Sequence, residues 1–138
     1  MIDKIKYKNI TFNNLSDKDF SNLMNSNGLF TFPAAPPLTT LELNSDYHKS
    51  LINSDYVFFD SGYFVLLLRY LKGIKVRKFS GYKFLKLLFN FLKLNQECKI
   101  FLVDPSSKIS ENNFKYFENL GCKNIKRYVA PIYDTISI

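Results

Sequence analysis

Short apolar runs alternate along this chain with polar, small-residue punctuation. The stretch Tyr56 to Phe84 shows the pattern most clearly. Tyr56-Val57-Phe58-Phe59 reads as a buried strand that ends on a carboxylate, Asp60. Ser61 is suited to cap a helix from Gly62 to Leu71, and Gly73 to end it. Lys75 to Phe79 reads as extended or loop, and Ser80-Gly81 opens a second helix to about Leu94. The polar positions of that helix, Lys86, Asn90 and Lys93, form one narrow stripe. Phe84, Leu85, Leu87, Leu88, Phe89, Phe91 and Leu92 fill the rest, so we expect it to be mostly buried, with a membrane surface as the alternative.

The same reading extends to both ends. Ile2 to Phe12 holds one or two short strands, and Asn13-Asn14 is a turn signal. Ser16 is placed to cap a helix with Asp17 and Asp19 in its first turn and Phe20, Leu23 and Met24 on its apolar face. Gly28 suits its left-handed C-cap. Leu29 to Phe32 reads as a strand, and Pro33-Ala34-Ala35-Pro36-Pro37 as a rigid break. A turn or two of helix is expected at Thr39 to Leu43, and another helix, capped by Asn44-Ser45-Asp46, at Tyr47 to Ile52. Lys99 to Val103 is a strand, Ser110-Glu111 starts a helix over Asn112 to Leu120, and Asn124 to Val129 is the last strand. This alternation predicts a single α/β domain, a Rossmann-like and mainly parallel sheet flanked by helices. No capping helix follows the last strand, and a parallel sheet needs both faces covered. The domain is therefore expected to be incomplete at its C-terminal end.

Composition narrows the chemistry. With 138 residues, 17% of them aromatic, the chain has material for a core, which argues against disorder. The net charge of +7 is concentrated, since Arg69, Lys72, Lys75, Arg77, Lys78, Lys83 and Lys86 lie close together with no acid among them. That favours a local anion site, although a solvated Lys-rich surface accounts for the same count. A nucleic-acid partner is disfavoured, because the aromatics fall in apolar runs that suit a core better than base stacking. Cys98 and Cys122 fit no metal or redox spacing and His48 stands alone, so neither a metal nor a cofactor is expected. The first residues lack a signal-peptide core, and Arg69 and Lys72 keep the longest apolar run short of a membrane span, so we expect a cytoplasmic protein.

An acid at the end of a buried strand sits where open α/β sheets place their ligand crevice. Read alone, Asp60 is a helix cap or turn acid before it is a catalytic one. The order of motifs adds to this. The run IKYKNITFNNLSDKDFSNLM (5–24), the segment Thr31-Phe32-Pro33-Ala34-Ala35 and the run SDYVFFDSG (54–62) occur in sequence. They are followed by Lys78-Phe79-Ser80-Gly81-Tyr82-Lys83-Phe84, Ile100 to Ser107 and YVAPIY (128–133). Together they resemble, over nearly the whole chain, the WecG/TagA/CpsF glycosyltransferases of bacterial surface-polymer synthesis.

The resemblance implies transfer of N-acetylmannosamine or a related sugar from a UDP donor to a lipid-linked acceptor, with inversion and without an essential metal. It would make Asp60 the general base that deprotonates the acceptor hydroxyl. Thr31 would line the same crevice. Lys78, with Arg77 as substitute, would meet the diphosphate, and Ser80 and Gly81 would bring a helix N-terminus to the phosphates. It also implies peripheral contact with the inner face of the membrane. The sequence departs from the family at Lys83, where an Asp is usual, and at Pro33, where an Asn is usual. The family's later Gly-x-Pro-x-Gln-Glu segment and basic appendage have no counterpart, and Gln96-Glu97 does not supply one. The alternative expectation is therefore an inactive remnant or non-catalytic interaction subunit, completed by self-association or by a complementing C-terminal chain.

Overall fold

The computed structural model describes residues 3–34 and 45–131. The expectations placed on 35–44, including Pro36-Pro37, the helical turn at Thr39–Leu43 and the Asn44 cap, lie outside the described residues, as does Tyr133. The chain divides into two compact units, Met1–Leu85 and Lys86–Ile138. Both are mixed α/β.

In the first unit a hairpin opens the sheet. Strand β1 (Asp3–Tyr7) pairs antiparallel with β2 (Ile10–Asn14). The turn between them puts Lys8 at φ 46° and Asn9 at φ 64°, the left-handed pair that a two-residue hairpin requires. Strand β2 runs parallel to β4 (Tyr56–Phe58), which runs parallel to β3 (Phe30–Thr31), giving the order β1-β2-β4-β3. The sheet is mixed, with its antiparallel strand at one edge.

Alternation along β4 supplies both faces of this sheet. Val57, followed by Phe59, packs with Ile10 and Phe12 against helices α2 (Ser45–Ile52) and α3 (Gly62–Lys72) through Leu51, Phe64, Val65 and Leu68. The Phe12 and Phe59 rings stack with centroids 4.4 Å apart. Phe58 points the other way, to Phe32 at 5.0 Å and Phe79 at 5.4 Å. Phe84 of helix α4 (Gly81–Leu94) closes that side against Phe30 and Phe32, and Phe20 of α1 (Phe20–Met24) meets Phe84 edge-on.

The caps of α3 fall where the sequence puts them. The Ser61 hydroxyl accepts from the Phe64 amide, and Gly73 turns left-handed at φ 63°. Three expectations change. Asn13 and Asn14 are not a turn but the last residues of β2, because the turn sits at Lys8-Asn9. Gly28 is not the cap of α1, whose C-cap is Asn25. Its φ of 147° lets the chain pass close to Asp55, where a Cβ would come within 2.7 Å of the Asp55 Cβ. Helix α4 is less buried than its composition suggests: Leu92 is buried, Leu85 is exposed, and most other apolar positions are half-buried.

In the second unit, β5 (Lys99–Asp104) pairs parallel with β6 (Asn124–Val129) over six residues. Helix α5 (Ser107–Asn119) packs on one face. It starts before the expected Ser110-Glu111, because the Ser106 hydroxyl accepts from the Ile109 amide and caps it there. Phe101 and Val103, on the opposite face to Asp104, are 64% and 60% exposed. Cys98 and Cys122 are free thiols beside the starts of the two strands, and burial pushes the Cys122 thiol up.

Candidate functional site

The parallel strands β2, β3 and β4 all direct their carboxyl ends to one edge of the first unit. Asp60 emerges there, two residues past β4, and is half-buried. Its Oδ1 accepts from the Gly81 amide at 3.0 Å. The carboxylate therefore joins the end of β4 to the start of α4, and Phe79 reinforces the join by donating its amide to the Phe59 carbonyl at 2.9 Å. Asp60 Oδ2 receives no hydrogen bond among the described residues and remains available to a ligand.

Ser80 is the cap of α4. Its hydroxyl accepts from the Lys83 amide at 3.2 Å and its carbonyl from the Phe84 amide at 2.9 Å. With Gly81 donating to Asp60, most of the α4 N-terminus is occupied by the protein itself. A Cβ at Gly81 would make only ordinary contact with the Phe32 side chain, at 3.6 Å.

The start of α3 is the more open helix end. First-turn amides have no partner inside a helix, and those of Gly62 and Tyr63 donate to no substitute acceptor among the described residues. Lys78 reaches this point: a Cβ built on Gly62 would lie 3.7 Å from the Lys78 Nζ. Lys78 is exposed and makes no ion pair with Asp60. A flexible cation above an open helix N-terminus, beside a carboxylate with one free oxygen, suits a phosphate-bearing ligand with a reactive hydroxyl nearby.

Two expected residues stand apart. Thr31 ends β3 opposite Val57, and its hydroxyl donates to the Tyr56 carbonyl at 3.4 Å. In register it lies three residues short of Asp60, roughly 10 Å along the strand direction. Arg77 instead lines a cleft of about 680 Å³ with Asp3, Asn14, Asp19, Arg69, Lys75 and Val76, a lining that does not include Asp60. Thus Asp60, Lys78, Ser80 and Gly81 come together, while Thr31 and Arg77 do not join them.

The residues that sort Arg77 from Lys78 are Asn14 and Arg69. The Asn14 side chain acts as a peptide group at the end of β2. Its Oδ1 accepts from the Arg77 amide at 2.8 Å and its Nδ2 donates to the Lys75 carbonyl at 3.2 Å. Arg69 on α3 donates through Nε and a terminal nitrogen to the Val76 carbonyl, at 2.9 Å for Nε. Val76, 0% exposed, anchors the segment between them. The neighbouring Asn13 is buried, and its Oδ1 accepts from the Val57 amide at 3.2 Å. The Asn-Asn pair carried the signal in the sequence, but as a turn and not as a pair of side-chain latches.

Asp19 carries the clearest electrostatic perturbation at this end. Its carboxylate accepts from the Ser16 hydroxyl and amide, which hold it below the usual carboxylate range, and Arg77 adds a smaller pull. Among the described residues no cluster of three or more His, Cys, Asp or Glu side chains is arranged to hold a metal ion. No described helix is long and apolar enough to cross a membrane.

Compared with protein-family models and with curated proteins, the chain matches none.

Proposed function

We propose that this chain is a glycosyltransferase-like protein, Rossmann-like in plan, that handles a UDP-sugar at the carboxyl edge of β2-β4-β3. The reaction class is transfer of N-acetylmannosamine or a related sugar to a lipid-linked acceptor, at the inner face of the membrane. One observation carries the reading: Asp60 has one oxygen fixed by the Gly81 amide and the other open, while Lys78 stands over the start of α3. In this reading Oδ2 takes the proton from the acceptor hydroxyl as the glycosidic bond forms. Lys78 and the amides of Gly62 and Tyr63 neutralise the diphosphate as it leaves. Ser80 and Gly81 position Asp60 more than they touch the ligand.

A specific observation favours a second reading, a non-catalytic remnant. The Asp60–Gly81 bond is also what a purely structural helix cap would make. Calorimetric titration of UDP separates the two. The enzyme reading expects saturable binding that Lys78→Ala weakens at least tenfold. It expects Asp60→Asn to leave UDP binding intact and to abolish turnover with a lipid-linked acceptor. Absence of saturable UDP binding at millimolar concentrations contradicts the enzyme reading and favours the remnant.

A further inference from the structure

The cleft lined by Arg77 does not include Asp60, and its chemistry points elsewhere. Three cationic side chains converge on it, from Arg69, Lys75 and Arg77. Two carboxylates share the lining, but both are already engaged. Asp3 accepts from the Asn14 Nδ2 at 3.2 Å, and Asp19 accepts twice from Ser16. Lys75 and Arg77 are exposed and make no ion pair among the described residues.

The backbone carrying these cations is fixed at consecutive polar atoms. The Lys75 carbonyl and Arg77 amide are held by Asn14, and the Val76 carbonyl by Arg69. With Val76 buried beneath, residues 75 and 77 present their side chains on the same side, as alternate residues of an extended segment do. A planar guanidinium and an ammonium held two residues apart can engage oxygens of one or two linked phosphates. A volume of about 680 Å³ accommodates such a group with part of the molecule that bears it.

We infer that the cleft lined by Asn14, Arg69, Lys75 and Arg77 is a binding site for a phosphoryl or diphosphate group, separate from the Asp60 and Lys78 side chains. The lining carries only one more positive than negative group, so it suits a small dianion better than a nucleic-acid strand, whose binding rests on many neutralised phosphates. The inference does not depend on the glycosyltransferase reading. It holds for a soluble phosphorylated ligand or a lipid phosphate headgroup, because the recognised chemistry is the same.

The test uses inorganic pyrophosphate as the probe, with binding followed by amide chemical shifts at constant ionic strength. Saturable shifts at Asn14 and Arg77 are expected. The double substitution Lys75→Gln/Arg77→Gln should weaken binding at least tenfold, and Lys78→Ala should change it less than twofold. Both altered side chains of the double variant are exposed, and its native amide spectrum confirms folding. Vesicles containing phosphatidylglycerol identify the source. Capture on vesicles that pyrophosphate displaces assigns the site to a headgroup, and pyrophosphate binding with no capture assigns it to a soluble ligand. Lack of saturation, shifts confined to the Lys78 side, or equal binding by the double variant overturns the inference. Loss of UDP binding in Lys78→Ala with pyrophosphate binding preserved keeps the two sites distinct.

Discussion

Asp60 and Asp104 each stand at a strand-to-helix junction, in two different units. Asp60 lies two residues past β4 and Asp104 is the last residue of β5, and each precedes a helix capped by a serine, Ser61 in one case and Ser106 in the other. Their surroundings differ. Asp60 is half-buried, fixed through Oδ1 to the Gly81 amide and open at Oδ2. Asp104 is 5% exposed, with Oδ1 accepting from the Asn113 Nδ2 at 2.7 Å and Oδ2 buried without a partner among the described residues. The strand-acid-serine-helix pattern sets only the backbone. What crosses the acid afterwards sets its chemistry. At Asp60 a basic segment and a second helix start pass by, and at Asp104 the acid's own helix closes over it.

The contrast breaks most visibly at Asp104. Asn113→Ala removes the partner of a buried carboxylate and should cost roughly 1–3 kcal/mol in urea unfolding, the penalty for an unsatisfied buried group. Asp104→Asn should cost less than that, because an oxygen can still accept from Asn113. Asp60→Asn should leave stability nearly unchanged, since its oxygen still accepts from Gly81.

The shared part of the pattern calls for equal effects. Ser61→Ala and Ser106→Ala should each lower stability by about 1 kcal/mol, the usual value of an N-cap hydroxyl. A large difference between them would show that the two junctions are not equivalent even in backbone.

The smallest effect concerns acid. Arg127 donates to Glu111 at 2.7 Å and holds its carboxylate below the usual range, and Lys123 does the same for Glu97. A depressed folded-state pKa gives stability that is present above the unfolded value and lost as pH falls through the folded one. Melting of the second unit should therefore weaken modestly below about pH 4.5, and Arg127→Gln should shrink that dependence.

Much of this was legible in the chain. The caps Ser61 and Gly73, the start of α4 at Ser80-Gly81 and the span of β6 were readable because each is decided by local hydrogen bonding or by a left-handed glycine. The Lys8-Asn9 turn was hidden because no glycine marks it. The Asn14 clamp and the Asp104–Asn113 pair were hidden because each joins residues whose proximity only the tertiary fold creates. For the same reason neighbouring Arg77 and Lys78 read as one patch, although Arg77 lines a cleft with Asn14 and Arg69 while Lys78 reaches the start of α3.

The most direct test of the account is a carboxyl carbon NMR titration with UDP, following Asp60 and Asp104 in one sample. The Asp60 signal should move saturably with UDP, the response should be lost in Lys78→Ala, and Asp104 should stay still. No movement at Asp60, or equal movement at both acids, would contradict it.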